Sequence, residues 1–354
     1  MLDIKLGASP NNPYAWDFPD EDGRFPSEPF DELGSISFVL HCNYIAATLI
    51  GGVLSFSLLY LVIFHTHGAL RSYRKILLLC SFTDISYWAV DNIIQTKLKE
   101  KDGVFMVAME GPIKHCSYQS RLIFLSIYIG LISMVNSVLP AQVYFRYYAL
   151  TRTQPLTTAK TIGLFSVSVG VSVVCSILSF FGYGGSAGVR PDYNYGELWY
   201  REVPLPPVFY ADVRSQIQKV YFFYGGALVA LSYLIAIVIG YKTMKTIRRS
   251  YVSFSGKTRR LQAQLTQYLI VQSVIPLLVS VVPMMLLVVP QYFYIDTGRA
   301  CLFYSVAFSW IPIINPLITM AVIIPYRRLI LSKLCCAKRS YQVDSTGHFF
   351  SRSN

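Results

Sequence analysis

The chain has 354 residues, of which 53% are hydrophobic and 15% aromatic, with a mean hydropathy of +0.44 and a formal net charge of +12. Such apolarity excludes an ordinary water-soluble domain. The positive charge would suit a nucleic-acid binder, but its distribution along the chain argues for a membrane topology instead.

Residues 1–35 are acidic and proline-rich, with Asp17, Asp20, Glu21 and Asp22 among Pro10, Pro13, Pro19, Pro26 and Pro29. They contain no apolar core and no signal-peptide pattern, so the first apolar stretch is expected to act as the insertion signal. Seven long apolar stretches follow, with predicted limits 36–64, 76–96, 122–145, 161–182, 220–241, 265–289 and 300–324. Each approaches or exceeds the roughly 20 residues a helix needs to cross a ~30 Å hydrocarbon core. Barrel strands would alternate with period two, and runs such as Ile76–Leu79 and Leu228–Ile239 do not. The expected fold is therefore an all-α bundle of seven transmembrane helices over 36–324. An extracellular tail (1–35) precedes it and a cytoplasmic segment (325–354) follows.

With the N-terminus outside, the inner segments hold 19 of the 31 Lys and Arg residues and a single acid, Asp344. The outer segments hold 12 basic residues and 16 acids. The Lys/Arg excess sets this orientation.

In span two, Asp84 and Asp91 lie seven residues apart, two turns along one face. Asp84 is placed near mid-bilayer, where a carboxylate costs on the order of 2.5–3.5 kcal/mol and should face the bundle or a wet cavity. It reads as an ion- or proton-linked switch or as a structural contact to another span, with Asn136 as one partner. Asp91 is placed near the outer surface, where solvent would satisfy it. Span three ends in Tyr144-Phe145-Arg146-Tyr147-Tyr148, a snorkelling arginine in an aromatic belt. The inner loop 242–264 carries Arg248, Arg249, Arg259 and Arg260 without any acid, a basic face suited to a cytosolic partner. Pro276 in span six and Pro312 and Pro316 in span seven each remove a helix hydrogen bond, and Asn315 can satisfy a freed carbonyl. Beyond span seven, Tyr326, Leu329, Ile330 and Leu334 share one face opposite Arg327, Arg328 and Lys333, an interfacial-helix pattern. Cys335 and Cys336 follow as candidate palmitoylation sites.

Of the seven cysteines, Cys42, Cys116 and Cys301 lie near the outer ends of spans one, three and seven. Two of these can pair in an oxidising compartment, with Cys116 the natural partner of either other. Catalytic and metal motifs fail. Gly184-Gly185-Ser186-Ala187-Gly188 matches a nucleophile elbow in letters, but a membrane span precedes it where a strand is required. The five histidines do not cluster at metal spacing. No enzyme activity, cofactor or metal is expected.

The order and spacing of four segments resemble nematode chemosensory seven-helix receptors of the Str superfamily, over roughly residues 50–335. The segments are Leu59–Val62 through Leu70–Leu78 and Ser81–Ile85, then Phe145-Arg146-Tyr147, then Leu261 to Pro276. The fourth, Asn315-Pro316-Leu317-Ile318 with Pro325-Tyr326-Arg327, is most similar to the Srd branch. The resemblance implies a G-protein-coupled receptor for small environmental molecules at the plasma membrane of a sensory cilium. Arg146 and Tyr147 then belong to an activation lock, and Asn315 and Pro316 to a helix-seven switch, with Asp84 and Pro276 as further switch residues. Phe145 stands where the group has Tyr, and Thr319 where rhodopsin-like receptors place a Tyr. A ligand pocket is expected in the outer half between spans three, five, six and seven, with Tyr128, Tyr224, Tyr304 and Trp310 as lining candidates. The expected partners are a small-molecule ligand, a heterotrimeric G protein, membrane lipid and a second receptor chain, identical or different. The rival readings are a small-molecule transporter and a ligand-gated channel of the odorant-receptor type.

Overall fold

The computed structural model describes residues 10–11, 22–24, 34–66, 73–101, 103–152, 156–184, 208–250, 274, 277–295, 297, 300–323 and 325–332. Its helices are α1 (Gly34–Phe64), α2 (Arg74–Ile94), α3 (Tyr118–Thr151), α4 (Thr158–Gly184), α5 (Gln216–Ser250), α6 (Val282–Tyr292), α7 (Ala300–Ser309), α8 (Ile311–Val322) and α9 (325–332). A π-helical turn, Leu277–Val281, leads into α6. The helices α1, α3, α4 and α5 are each long and apolar enough to span a membrane, and α7 with α8 forms a further span bent by 45°. Together with α2, which carries two aspartates, and α6 they form the seven-helix bundle. At 31 and 34 residues, α1 and α3 are longer than a bilayer core requires.

α3 runs through the centre, packed on α2, α4 and α5. Small hydroxylated residues let α3 and α4 approach closely. Ser168 donates to the Ser137 carbonyl at 2.8 Å, Ser176 to the Ser126 carbonyl at 2.6 Å, and Ser133 to Cys175 Sγ at 3.1 Å. In lipid, where no hydrophobic force separates one apolar face from another, such small residues and interhelical hydrogen bonds are what hold helices together.

The bend between α7 and α8 follows from two prolines. Pro312 has no N–H to offer the Phe308 carbonyl, and that carbonyl accepts instead from the Tyr87 hydroxyl at 3.0 Å. Pro316 likewise frees the Pro312 carbonyl, which accepts from Ser55 Oγ at 3.1 Å. Both orphaned acceptors are met by neighbouring helices, as the membrane interior demands. Span seven is bent by 45° at Trp310.

One end of the bundle is closed by a three-stranded antiparallel sheet, β1 (Thr96–Lys101), β2 (Val104–Met109) and β3 (Val208–Asp212), in that order. β1 and β2 form a hairpin with Lys101 opposite Val104, turning through Gly103 at φ +76°. β2, the apolar run Val104–Met109, is the middle strand and is buried throughout. Glycine is required at position 111 because a Cβ there would stand 2.2 Å from the Ile93 carbonyl oxygen. Lys97 on β1 is fully enclosed and paired with Glu110. The sheet adds to the expected helical bundle, packing on α4, α6 and α7.

At the other end α9 lies against α1 and α8. Tyr326 is buried with Leu58, Leu61, Val62, Met320 and Ile323, and its hydroxyl meets Thr66 Oγ1 at 2.6 Å. Leu329 and Ile330 pack on the same cluster while Arg327 and Arg328 stay exposed, and Lys333 and Leu334 of the amphipathic pattern lie outside the described residues.

Candidate functional site

Beneath the sheet is an apolar cavity of about 70 Å³. Its wall comes from α3 (Leu125, Tyr128, Ile129, Ile132), α4 (Tyr183), α5 (Tyr221, Phe222), α6 (Met284, Leu287, Val288) and α7 (Phe308), with β1 and β2 above. The helical contributions recur three and four residues apart, the period that places side chains on one face. Tyr128 stacks on Tyr87 with centroids 5.6 Å apart and an 18° interplanar angle, and the two hydroxyls stand 3.3 Å apart.

Of the four aromatic candidates, Tyr128 lines this cavity. Tyr224 turns aside, donating its hydroxyl to the Val171 carbonyl at 2.9 Å. Tyr304 packs half-buried at the edge of the surrounding core. Trp310 sits at the α7–α8 bend, 36% exposed, with its indole N–H on Asn43 Oδ1 at 2.8 Å. On α5 the cavity takes Tyr221 and Phe222, and a rotation of ~100° per residue decides which aromatic faces inward. Asp91 is enclosed rather than surface-exposed, because the sheet continues above it. It lies within electrostatic reach of Tyr44, Tyr87 and Tyr128.

A second cavity, about 50 Å³, lies toward the α9 end. It is more polar than the first: Asp84, Asn315, Gln142, Thr83, Tyr233 and Thr319 contribute beside apolar residues such as Leu58, Leu77 and Ile318. Asn315 donates to Asp84 Oδ1 at 3.0 Å, tying α8 to α2. Asn136, one candidate partner of Asp84, donates instead to Ser280 Oγ on the π-helical turn at 3.0 Å. Asp84 and Asn315 with the adjacent Pro316 are thus brought together.

Tyr147 is half-buried near the far end of α3, and the preceding Phe145 is buried against Tyr73. Arg146 lies in the same helical segment, and Arg248 and Arg249 in the last turn of α5. Pro276, Arg259, Arg260, Cys335 and Cys336 lie outside the described residues. Cys42, Cys116 and Cys301 are free. Cys301 is sealed in the core while Cys42 and Cys116 are exposed. Among the described residues no group of His, Cys, Asp and Glu is placed to hold a metal ion.

Residues 40–332 match the family described as serpentine type 7TM GPCR chemoreceptor Srd. The chain belongs to that family. Family members are seven-transmembrane membrane receptors of the chemoreceptor type, a class distinct from enzymes. The chain is similar to serpentine receptor class r-10 of Caenorhabditis elegans, 22% identical over 314 residues that cover 83% of this chain and 91% of that one. The match to serpentine receptor class r-10 of Caenorhabditis briggsae is 25% over 119 residues, spanning about a third of each chain (34%). In shape it is similar to squid rhodopsin, with a TM-score of 0.61 over 94% of this chain and 92% of that one, at 13% identity. That likeness supports the helical architecture alone.

Proposed function

We propose that this member of the Srd family is a G-protein-coupled chemosensory receptor in the plasma membrane of a sensory cilium. It would bind a small environmental molecule in the outer, sheet-capped half and pass the signal to a heterotrimeric G protein on the inner face. The observation that supports the reading best is the apolar cavity enclosed by α3, α5, α6 and α7 under the sheet. Small-molecule sites are concave, mostly apolar and built from several elements at once.

Phe308, on the cavity wall, stands two residues before the bend at Trp310, and Asn315 five residues after it. A guest that pushes on Phe308 tilts α7 about that bend, and the tilt is felt at the Asn315–Asp84 hydrogen bond about 10 Å further along at ~1.5 Å per residue. The guest shifts the equilibrium only by as much as it prefers one arrangement over the other. On the inner face, Arg146 and Tyr147 with the basic segment from Arg248 to Arg260 would receive the G protein, and Pro276 would supply a second flexible point.

The test is expression with a promiscuous G protein, screened against volatile and water-soluble attractants and repellents. Arg146→Ala should abolish coupling while surface delivery persists. Normal signalling by that variant removes Arg146 from the mechanism.

A further inference from the structure

The cavity is apolar along its walls and short of hydrogen-bond partners at the sheet end. Gln218 and Gln291 are both fully enclosed, and in each the amide nitrogen and oxygen have no partner among the described residues. Thr96 Oγ1, on β1 at the cavity's edge, is buried and unpartnered as well. Leaving one such group unmet costs roughly 1–3 kcal/mol, so several together in one region call for an occupant that meets them.

Their placement is the second part of the argument. Gln218 precedes Tyr221 and Phe222 by three and four residues on α5, and Gln291 follows Leu287 and Val288 by four and three on α6. Each glutamine therefore extends a cavity-lining face by one turn toward the sheet. α5 and α6 meet there, since Phe222 and Tyr292 pack edge to face at 6.4 Å. The Gln218 carbonyl oxygen rests over Gly182, next to the wall residue Tyr183; a Cβ on that glycine would stand 2.8 Å from it.

We propose that Gln218, Gln291 and Thr96 form a head-group site that reads an uncharged group able to donate and accept a hydrogen bond, on a short apolar ligand such as a small alcohol. An amide offers both halves of that exchange and a hydroxyl answers both. Charge disfavours an anion: Asp91 on α2 stands by the cavity-wall residue Tyr128, and Lys97 on β1 is already paired with Glu110. Size limits the tail. A cavity of about 150 Å³ holds the six carbons of benzene, so about 70 Å³ accepts about three carbons, with the head beyond them toward the glutamines.

This inference rests on the cavity being the ligand site, and the experiment separates the two. Thermal-shift titrations of the purified receptor in bilayer discs compare propan-1-ol with n-butane, its apolar isostere. Ile129→Trp, which fills the cavity, reports what the compounds do to the bilayer alone. The wild type should bind propan-1-ol about tenfold more tightly than n-butane, the equivalent of ~1.4 kcal/mol. Gln291→Leu and Gln218→Leu should each cut that preference to about twofold while n-butane binding persists; Gln291→Met serves if the leucine variant does not fold. Survival of the preference in both leucine variants overturns the head-group site, as does its absence from the wild type. Stronger binding of propylamine, lost in Asp91→Asn, also overturns it. A shift by both compounds that survives Ile129→Trp overturns the cavity itself as the ligand site.

Discussion

The two cavities of this receptor are of similar volume, about 70 and 50 Å³, but differ in chemistry. The sheet-end cavity is walled by apolar and aromatic side chains from five helices and two strands. The cavity toward α9 sets Asp84, Asn315, Gln142 and Tyr233 among apolar residues such as Leu58, Leu77 and Ile318, and a hydrogen bond joins two of its polar groups. Apolar walls gain from excluding water whatever their guest, so the first space suits a ligand. Polar groups in a low dielectric must keep partners and can exchange one for another, so the second suits a switch. One half would take the signal in and the other convert it.

The largest expected effect breaks the roof that sets the two halves apart. Gly111→Ala places a Cβ 2.2 Å from the Ile93 carbonyl oxygen and 2.7 Å from its carbon, backbone atoms that no rotamer change moves. β2 must then shift away from the end of α2. Overpacking typically costs about 1–3 kcal/mol, and a backbone clash belongs at the upper end of that range. Thermal unfolding of the purified protein should show a clear loss of stability together with a loss of ligand response. An unchanged melting temperature would mean that the sheet does not depend on this close approach.

A smaller effect is expected from the other half. Asn315→Ala removes the donor to the buried Asp84 Oδ1 and should cost about 1–3 kcal/mol. Replacing both residues with leucine should recover much of that loss, because neither polar partner is then left alone. Ligand affinity should change far less than coupling, since neither residue touches the sheet-end cavity. A matched loss of affinity would show that the halves are not separable.

The helical part of this contrast was legible in the sequence, and the sheet was not. Apolar length marked span one at 36–64 against an observed Gly34–Phe64, and the charge of Asp84 marked it as facing inward. Asp102-Gly103 between two six-residue runs is a hairpin signal. Lys97, Lys99, Glu100 and Lys101 nevertheless made the first run look like a solvated loop. Lys97 is buried because Glu110, thirteen residues later, neutralises it across the hairpin, a tertiary fact that no local pattern carries. Asp91 and the cavity aromatics escaped for related reasons: the sheet covers the one, and helix rotation selects among the others. Buried glutamines give no periodic signal at all, and the missing partners of Gln218 and Gln291 can be seen only in the folded chain.

The mildest change bears on how Asp91 is accommodated at the edge of the apolar half. Tyr128→Phe keeps the ring that stacks on Tyr87 and removes a hydroxyl that lies 3.3 Å from the Tyr87 hydroxyl and within electrostatic reach of Asp91. Tyr87 retains its bond to the Phe308 carbonyl, so it is not orphaned. Asp91 Oδ1 is without a partner among the described residues, and the variant takes a polar neighbour away from that carboxyl group. The loss should be about 1 kcal/mol, one neutral hydrogen bond, seen as a small drop in thermal stability. A further Asp91→Leu change should reverse the drop, because the buried polar group is then gone. A Tyr128→Phe variant as stable as wild type, with ligand binding intact, would mean that Asp91 draws its partner from the guest or from water.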